Sequence, residues 1–141
     1  MTVDIGFTHV ALAVTNVDKS IGFYKKYAQM EPVHQRADPE SGMRVVWLSD
    51  KTRPFVLVLI EEETADPILK PIAHLGVGCP SEADVDAFCD LARNEGILKM
   101  GPTRSGPPVG YWAIISDPDG HSLELAYGQE IGLITQQEKE G

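Results

Sequence analysis

The strongest constraint on the fold is an internal duplication. Phe7-Thr-His-Val-Ala-Leu-Ala-Val14 and Ile72-Ala-His-Leu-Gly-Val-Gly-Cys79 are both alternating segments with a histidine in third place. His9 and His74 stand 65 positions apart, and the same spacing carries Phe23 onto Phe88 and Trp47 onto Trp112. Self-similarity at one fixed spacing marks a repeated supersecondary unit. Half of a 141-residue chain buries too little surface to fold well alone, so the expectation is one domain built from two similar halves.

After each alternating segment the apolar spacing changes from two to three and four. Val17, Ile21, Tyr24 and Ala28 in the first half, and Val85, Phe88, Leu91 and Ala92 in the second, mark one stripe of a helix. Asn16 with Asp18, and Ser81 with Asp84, supply N-terminal caps and first-turn acids, and Asn94-Glu-Gly96 ends the second helix. Short apolar runs follow. They predict strands over residues 31–35, 43–49 and 54–60, then 97–102, 111–116 and 122–127. Asp117-Pro-Asp-Gly120 is a turn between the last two. The string is βαβββ twice, in modules of about residues 5–60 and 72–128, with an acidic linker 61–71 and a polar tail 129–141 that frays over 136–141. The predicted class is α+β.

Composition excludes several functions. Twelve Lys and Arg against 21 Asp and Glu give a formal charge of −9, which repels a phosphate backbone and argues against nucleic acid or an anionic membrane as partner. No apolar run approaches the roughly 18 residues of a membrane span, and the start of the chain lacks a signal-peptide pattern. Cys79 and Cys89 make no disulfide framework, which points to a reducing, cytoplasmic setting. With no basic neighbours they read as small buried hydrophobes.

Residues two apart in a strand share a face. His9 therefore lies with Phe7, Ala11 and Ala13, and His74 with Gly76 and Gly78. Glu124 lies with Ser122 and Ala126, opposite Leu123, Leu125 and Tyr127. Large apolar side chains would fill such stripes, whereas these small ones leave space beside two imidazoles and a carboxylate. Two histidines and one carboxylate are the ligand set of open non-haem iron(II) sites, and Mn(II) or Zn(II) accepts the same donors. A lone strand histidine is more often a hydrogen-bonded core residue, and a lone glutamate is usually surface. Recurrence of the histidine at one register of both halves weighs toward a metal.

This arrangement resembles the vicinal oxygen chelate superfamily, which includes glyoxalase I, extradiol dioxygenases, fosfomycin-resistance proteins and bleomycin-binding proteins. The resemblance covers about residues 5–128. It rests on His9-Val-Ala-Leu-Ala-Val14 with Asp18-Lys-Ser-Ile-Gly-Phe-Tyr24, on Ala73-His-Leu-Gly-Val77, and on Asp117-Pro-Asp-Gly-His-Ser-Leu-Glu-Leu125. It implies a cup-shaped mixed β-sheet around a central cavity and a divalent metal held by His9, His74 and Glu124. It also implies a homodimer, and a small-molecule substrate that chelates the metal through an oxygen. The alternative it offers is a binding protein that sequesters an antibiotic or metabolite without catalysis.

The departures from the family narrow the chemistry. Glyoxalase I and related epimerases use a fourth ligand in the last strand of the first module. Here that strand reads Phe55-Val-Leu-Val-Leu-Ile60, so Val58 or Leu57 takes the place and neither moves a proton. If Leu57 faces inward, Glu61 shares its face and becomes a fourth-ligand candidate, against a simpler reading of residues 61–63 as a solvated charge run. Extradiol dioxygenases carry a histidine acid/base before the final hairpin, and none stands between Lys99 and Trp112. His121 reads as exposed, and His34 has no obvious partner. Fosfomycin-resistance enzymes use a threonine where Ala11 stands, and only Arg104 and Ser105 offer polar groups before the hairpin. Residues 101–110, rich in glycine and proline, read as a surface loop, with Arg104 either in solvent or closing toward an anionic substrate. Trp47 and Trp112 read as core or cavity walls at one repeat position.

Overall fold

The computed structural model describes residues 3–140. It divides into two compact units, Met1–Pro67 and Ile68–Gly141, and the division falls inside the predicted linker.

The first unit runs β1 (His9–Val14), α1 (Val17–Ala28), β2 (Glu31–Ala37), β3 (Arg44–Ser49) and β4 (Val56–Glu61). Its sheet has the order β1-β4-β3-β2, with β1 parallel to β4 and the other pairs antiparallel. Alternation in β1 sends Leu12 and Val14 to the side that carries the helix, where they are 1% and 0% exposed. Val46, Leu48, Leu57 and Leu59 come to the same side from β3 and β4, and Val17, Tyr24, Tyr27 and Ala28 meet them from α1. Fully burying a side chain such as leucine contributes about 1.5–3 kcal/mol. Asn16 caps α1 by accepting from the Lys19 amide at 3.1 Å.

The second unit repeats the plan: β5 (Leu75–Gly78), α2 (Glu82–Asn94), β6 (Leu98–Ser105), β7 (Gly110–Ser116) and β8 (Ser122–Tyr127), followed by α3 (Ile131–Glu140). Sheet order is β5-β8-β7-β6, again with first and last strands parallel. Ser81 caps α2 through the Asp84 amide at 3.1 Å. Gly96, at φ 75°, ends it: its amide bonds Arg93 O at 3.1 Å, and the next amide bonds Ala92 O at 2.9 Å. The paired βαβββ modules are therefore present, and the fold class is α+β.

Four expectations are corrected. Leu91 is 42% exposed, and the buried stripe of α2 is Val85, Cys89 and Ala92, because Cys89 falls on the core line that Leu91 misses by half a turn. Residues 101–110 are not a loop: β6 reaches Ser105 and β7 begins at Gly110, leaving a tight turn between. The edge position of β6 and its register shifts on either side of Met100 accommodate Gly101 and Pro102. The polar tail 129–141, for which the sequence predicts no element, carries α3 over Ile131–Glu140. Its Gln, Glu and Lys residues favour helix, and Ile134 N bonds Glu130 O at 3.0 Å to open it. His121 is 1% exposed rather than solvated. The Asp117 carboxylate accepts the Asp119 and His121 amides, each at 2.9 Å, and this folds the turn so that His121 points inward. Among the described residues, no helix is long and apolar enough to cross a membrane.

Candidate functional site

Each module sets the residue two past its histidine against its last strand through the parallel pairing. In the first, Ala11 of β1 is the partner of Val58 in β4. In the second, Gly76 of β5 is the partner of Glu124 in β8. Ala11 and Gly76 each stand two residues past a histidine, so Val58 and Glu124 hold the same place in the two modules. That place faces away from the helix in both, because Leu57, Leu59, Leu123 and Leu125 take the buried side.

The register decides the fourth-ligand question. Val58, not Leu57, shares the face of His9, so the first module offers no donor there. Glu61 pairs with Val14 on the opposite side. Its carboxylate accepts the Val17 amide at 3.2 Å and the Arg44 amide at 3.3 Å. It caps the start of α1, where the helix dipole favours a negative charge. Glu61 is therefore not directed to the face of His9.

His9 is exposed, and its Nδ1 lies 2.9 Å from Thr8 Oγ1. His74 is exposed and sits immediately before β5, with Nδ1 2.9 Å from Pro71 O and 3.0 Å from Ile72 O. Carbonyl oxygens only accept, so neutral His74 carries its proton on Nδ1 and presents the lone pair of Nε2. A histidine fixed in this way through one nitrogen is oriented to ligate through the other. Glu124 is half-buried, and its Oε2 accepts from Gln129 Nε2 at 3.1 Å. A Cβ on Gly76 would stand 3.6 Å from that oxygen, so the small residue keeps room beside the carboxylate. In donor chemistry alone, two imidazoles and a carboxylate suit a divalent metal; His9 belongs to the first unit, His74 and Glu124 to the second. Among the described residues, no three His, Cys, Asp or Glu side chains gather closely enough to hold one.

The other candidates fall as follows. Arg104 does not face Glu124: with Tyr111 it lies on the side of α2, where its guanidinium bonds both Glu82 carboxylate oxygens and stacks 4.9 Å from the Tyr111 ring centroid. That pairing holds Glu82 below the usual carboxylate range. The Tyr111 hydroxyl donates to Asp86 at 2.5 Å, which pushes the phenol up to about 12. Trp112 Nε1 donates to Ser105 at 3.1 Å. The two tryptophans are not at equivalent positions. Trp47 pairs with Val58, whereas Trp112 pairs with Ala126, and Ile114 is the residue opposite Glu124.

His34 does have partners. It pairs with Trp47 across β2 and β3, on the face of His9, with ring centroids 4.8 Å apart, and its Nε2 lies 3.2 Å from Arg36 Nη1. Period-two alternation could place His34 and Arg36 on one face, but cross-strand register is not written in one strand. A cavity of about 820 Å³ opens at the far end of this sheet, lined by Arg36, Met43, Val45, Ile60 and Glu62 among others, and includes none of the three candidate ligands. Gln129 was missed because its stretch read as polar tail; the signal was Gly128, whose φ of 85° turns the chain back after β8. Burial raises the thiols of both Cys79, half-buried, and Cys89, buried.

Comparison with known proteins agrees with this architecture. A family model described as the Glyoxalase/Bleomycin resistance protein/Dioxygenase superfamily matches residues 6–125. The uncharacterized protein PA2024 of Pseudomonas aeruginosa is 31% identical over 128 residues, covering 89% of this chain and 90% of that one. A probable lactoylglutathione lyase of Vibrio parahaemolyticus is 26% identical over 129 residues, covering 86% and 90%. Among solved structures, the fosfomycin resistance protein FosX of Listeria monocytogenes, crystallised with Mn(II) and a dihydroxypropylphosphonic acid, aligns with a TM-score of 0.70 at 17% identity, over 94% of this chain and 99% of that one. The chain belongs to the glyoxalase/bleomycin resistance protein/dioxygenase superfamily.

Proposed function

We propose that this superfamily member is a divalent-metal-dependent enzyme acting on a small oxygen-bearing substrate, with His9, His74 and Glu124 as the metal ligands. The observation that carries the proposal is the shared register. The residue two past each histidine faces the same place in the last strand, and in the second module that place is Glu124. A bound Fe(II), Mn(II) or Zn(II) supplies Lewis acidity toward a substrate oxygen. The chain's own contribution is to orient the donors. Pro71 and Ile72 carbonyls hold the His74 ring, and Thr8 holds that of His9.

Val58 argues for three protein ligands rather than four, and against an isomerase in which a carboxylate at that place moves the proton. The relatives named lactoylglutathione lyase therefore share ancestry with this chain more securely than they share its reaction. Trp47, 37% exposed and packed at a tilt against His34, gives a planar part of the substrate a surface on the face of His9. A homodimer, as the family resemblance implies, belongs to the same reading. The two free thiols agree with a cytoplasmic setting.

Metal analysis of protein purified without chelator tests the proposal. The expected result is about one divalent ion per chain, lost in His9→Ala, His74→Ala and Glu124→Ala. Wild-type protein that takes up no divalent ion on reconstitution overturns it. Tight ligand binding that survives metal removal points instead to the sequestering protein.

A further inference from the structure

Gln129 lies in the stretch first read as polar tail, and nothing in the chemistry above requires it. We infer that it is the positioning residue for Glu124: its amide holds one carboxylate oxygen, and the other is left to face the metal. The inference rests on the metal-site proposal. It deepens that proposal by naming a residue that acts through a ligand rather than as one.

The hydrogen bond from Gln129 Nε2 to Glu124 Oε2, at 3.1 Å, is anchored on both sides of the donor. Before it, Gly128 at φ 85° reverses the chain after β8. Just after it, the Glu130 amide bonds Pro108 O at 3.0 Å, tying the segment to the turn between β6 and β7. Gly110 allows this approach, since a Cβ there would collide with the backbone at Tyr127 and Gly128. The amide is therefore not on a free arm. Gly76 contributes no side chain beside that same oxygen, where a Cβ would stand 3.6 Å away, so Gln129 is the side chain that holds it.

A glutamate has three rotatable bonds. Fixing them before the ion arrives removes an ordering cost from binding and leaves the unheld oxygen as the available donor. Partners that hold a metal ligand from behind are worth roughly 10–100-fold in metal affinity.

The test is Co(II) titration of the metal-free full chain against a chromophoric chelator, for wild type, Gln129→Leu, Gln129→Asn and His74→Ala. Leucine keeps the bulk and loses the donor; asparagine keeps the donor one methylene short of its acceptor. Both are expected to weaken Co(II) binding roughly 10–100-fold while the unfolding midpoint of the metal-free protein stays near that of wild type. His74→Ala is expected to abolish binding. Gln129 variants that bind Co(II) as tightly as wild type, with His74→Ala still inactive in binding, overturn the positioning role and leave the metal site standing. A midpoint that drops in step with affinity also overturns it, because the residue then acts on folding. Wild-type protein that binds no Co(II) overturns both proposals.

Discussion

The Glu61 carboxylate accepts the Val17 amide at 3.2 Å, so the last residue of β4 closes the first turn of α1 within the same module. The same side chain also accepts the Arg44 amide at 3.3 Å. Removing it leaves two backbone donors to be met by water and a helix terminus without its negative partner. Glu61→Ala is expected to lower stability by about 1 kcal/mol, the ordinary cost of a lost helix cap. Chemical denaturation of wild type and variant measures that loss. Metal uptake by the variant should match wild type, and a loss of bound metal without a loss of stability would reinstate Glu61 as a ligand.

Tyr111 should titrate late. Its hydroxyl donates to the Asp86 carboxylate, whose negative charge favours the neutral phenol and pushes its pKa up to about 12. The folded value lies above the ordinary 10, so this contact contributes stability that is fully present below pH 10 and is lost as pH rises through about 12. An NMR titration resolved at the Tyr111 ring should show its ionisation as a late component, above the ordinary 10. In Asp86→Asn that late component should move down toward the ordinary range, and an unchanged curve would mean the hydroxyl points elsewhere in solution.

The parts of the fold written in the sequence are those set by local periodicity. Leu12 and Val14 alternate with small residues, so both the strand and its helix-facing side follow from the pattern. Gly96 marked a helix end because few other residues accept its φ of 75°. Register was not written. The tryptophans share a spacing of 65 yet pair with non-equivalent residues, since β3 and β7 are offset differently from their neighbouring strands than β1 and β5 are. Tertiary contacts were invisible for the same reason. Arg104 looked available to a substrate until Glu82 and Tyr111, from α2 and β7, were placed beside it. The proposed ligands His9, His74 and Glu124 rest on residue type and alternation, which a single strand shows. Gln129 could not, because its role depends on a backbone reversal and on a turn some 20 residues earlier in the chain.

The cysteines should differ from each other in reactivity. Cys89 is 1% exposed and Cys79 only partly buried, and burial raises both thiols above their usual range. The thiolate is the reacting form, so both should label slowly at neutral pH, Cys79 ahead of Cys89, and faster as pH rises. Mass-resolved labelling with a neutral alkylating reagent, in native buffer and in denaturant, measures the order. Rapid native labelling of Cys89 would show that the core of the second module opens readily.

Gly110 links stability to the proposed site. Its φ is 87°, and a side chain there would run into the carbonyl of Tyr127 and the backbone of Gly128. Gly110→Ala therefore meets both an unfavourable backbone conformation and a collision that only movement of the chain can relieve, and the expected loss is about 2 kcal/mol or more. Thermal or denaturant unfolding measures it. The displaced segment is the one that carries Gln129 back to Glu124, so the folded fraction of the variant should also hold metal less tightly. A variant that is destabilised but binds metal normally would separate the β6–β7 turn from the positioning of Glu124. A variant with wild-type stability would show that the 127–130 segment does not press on Gly110 in solution.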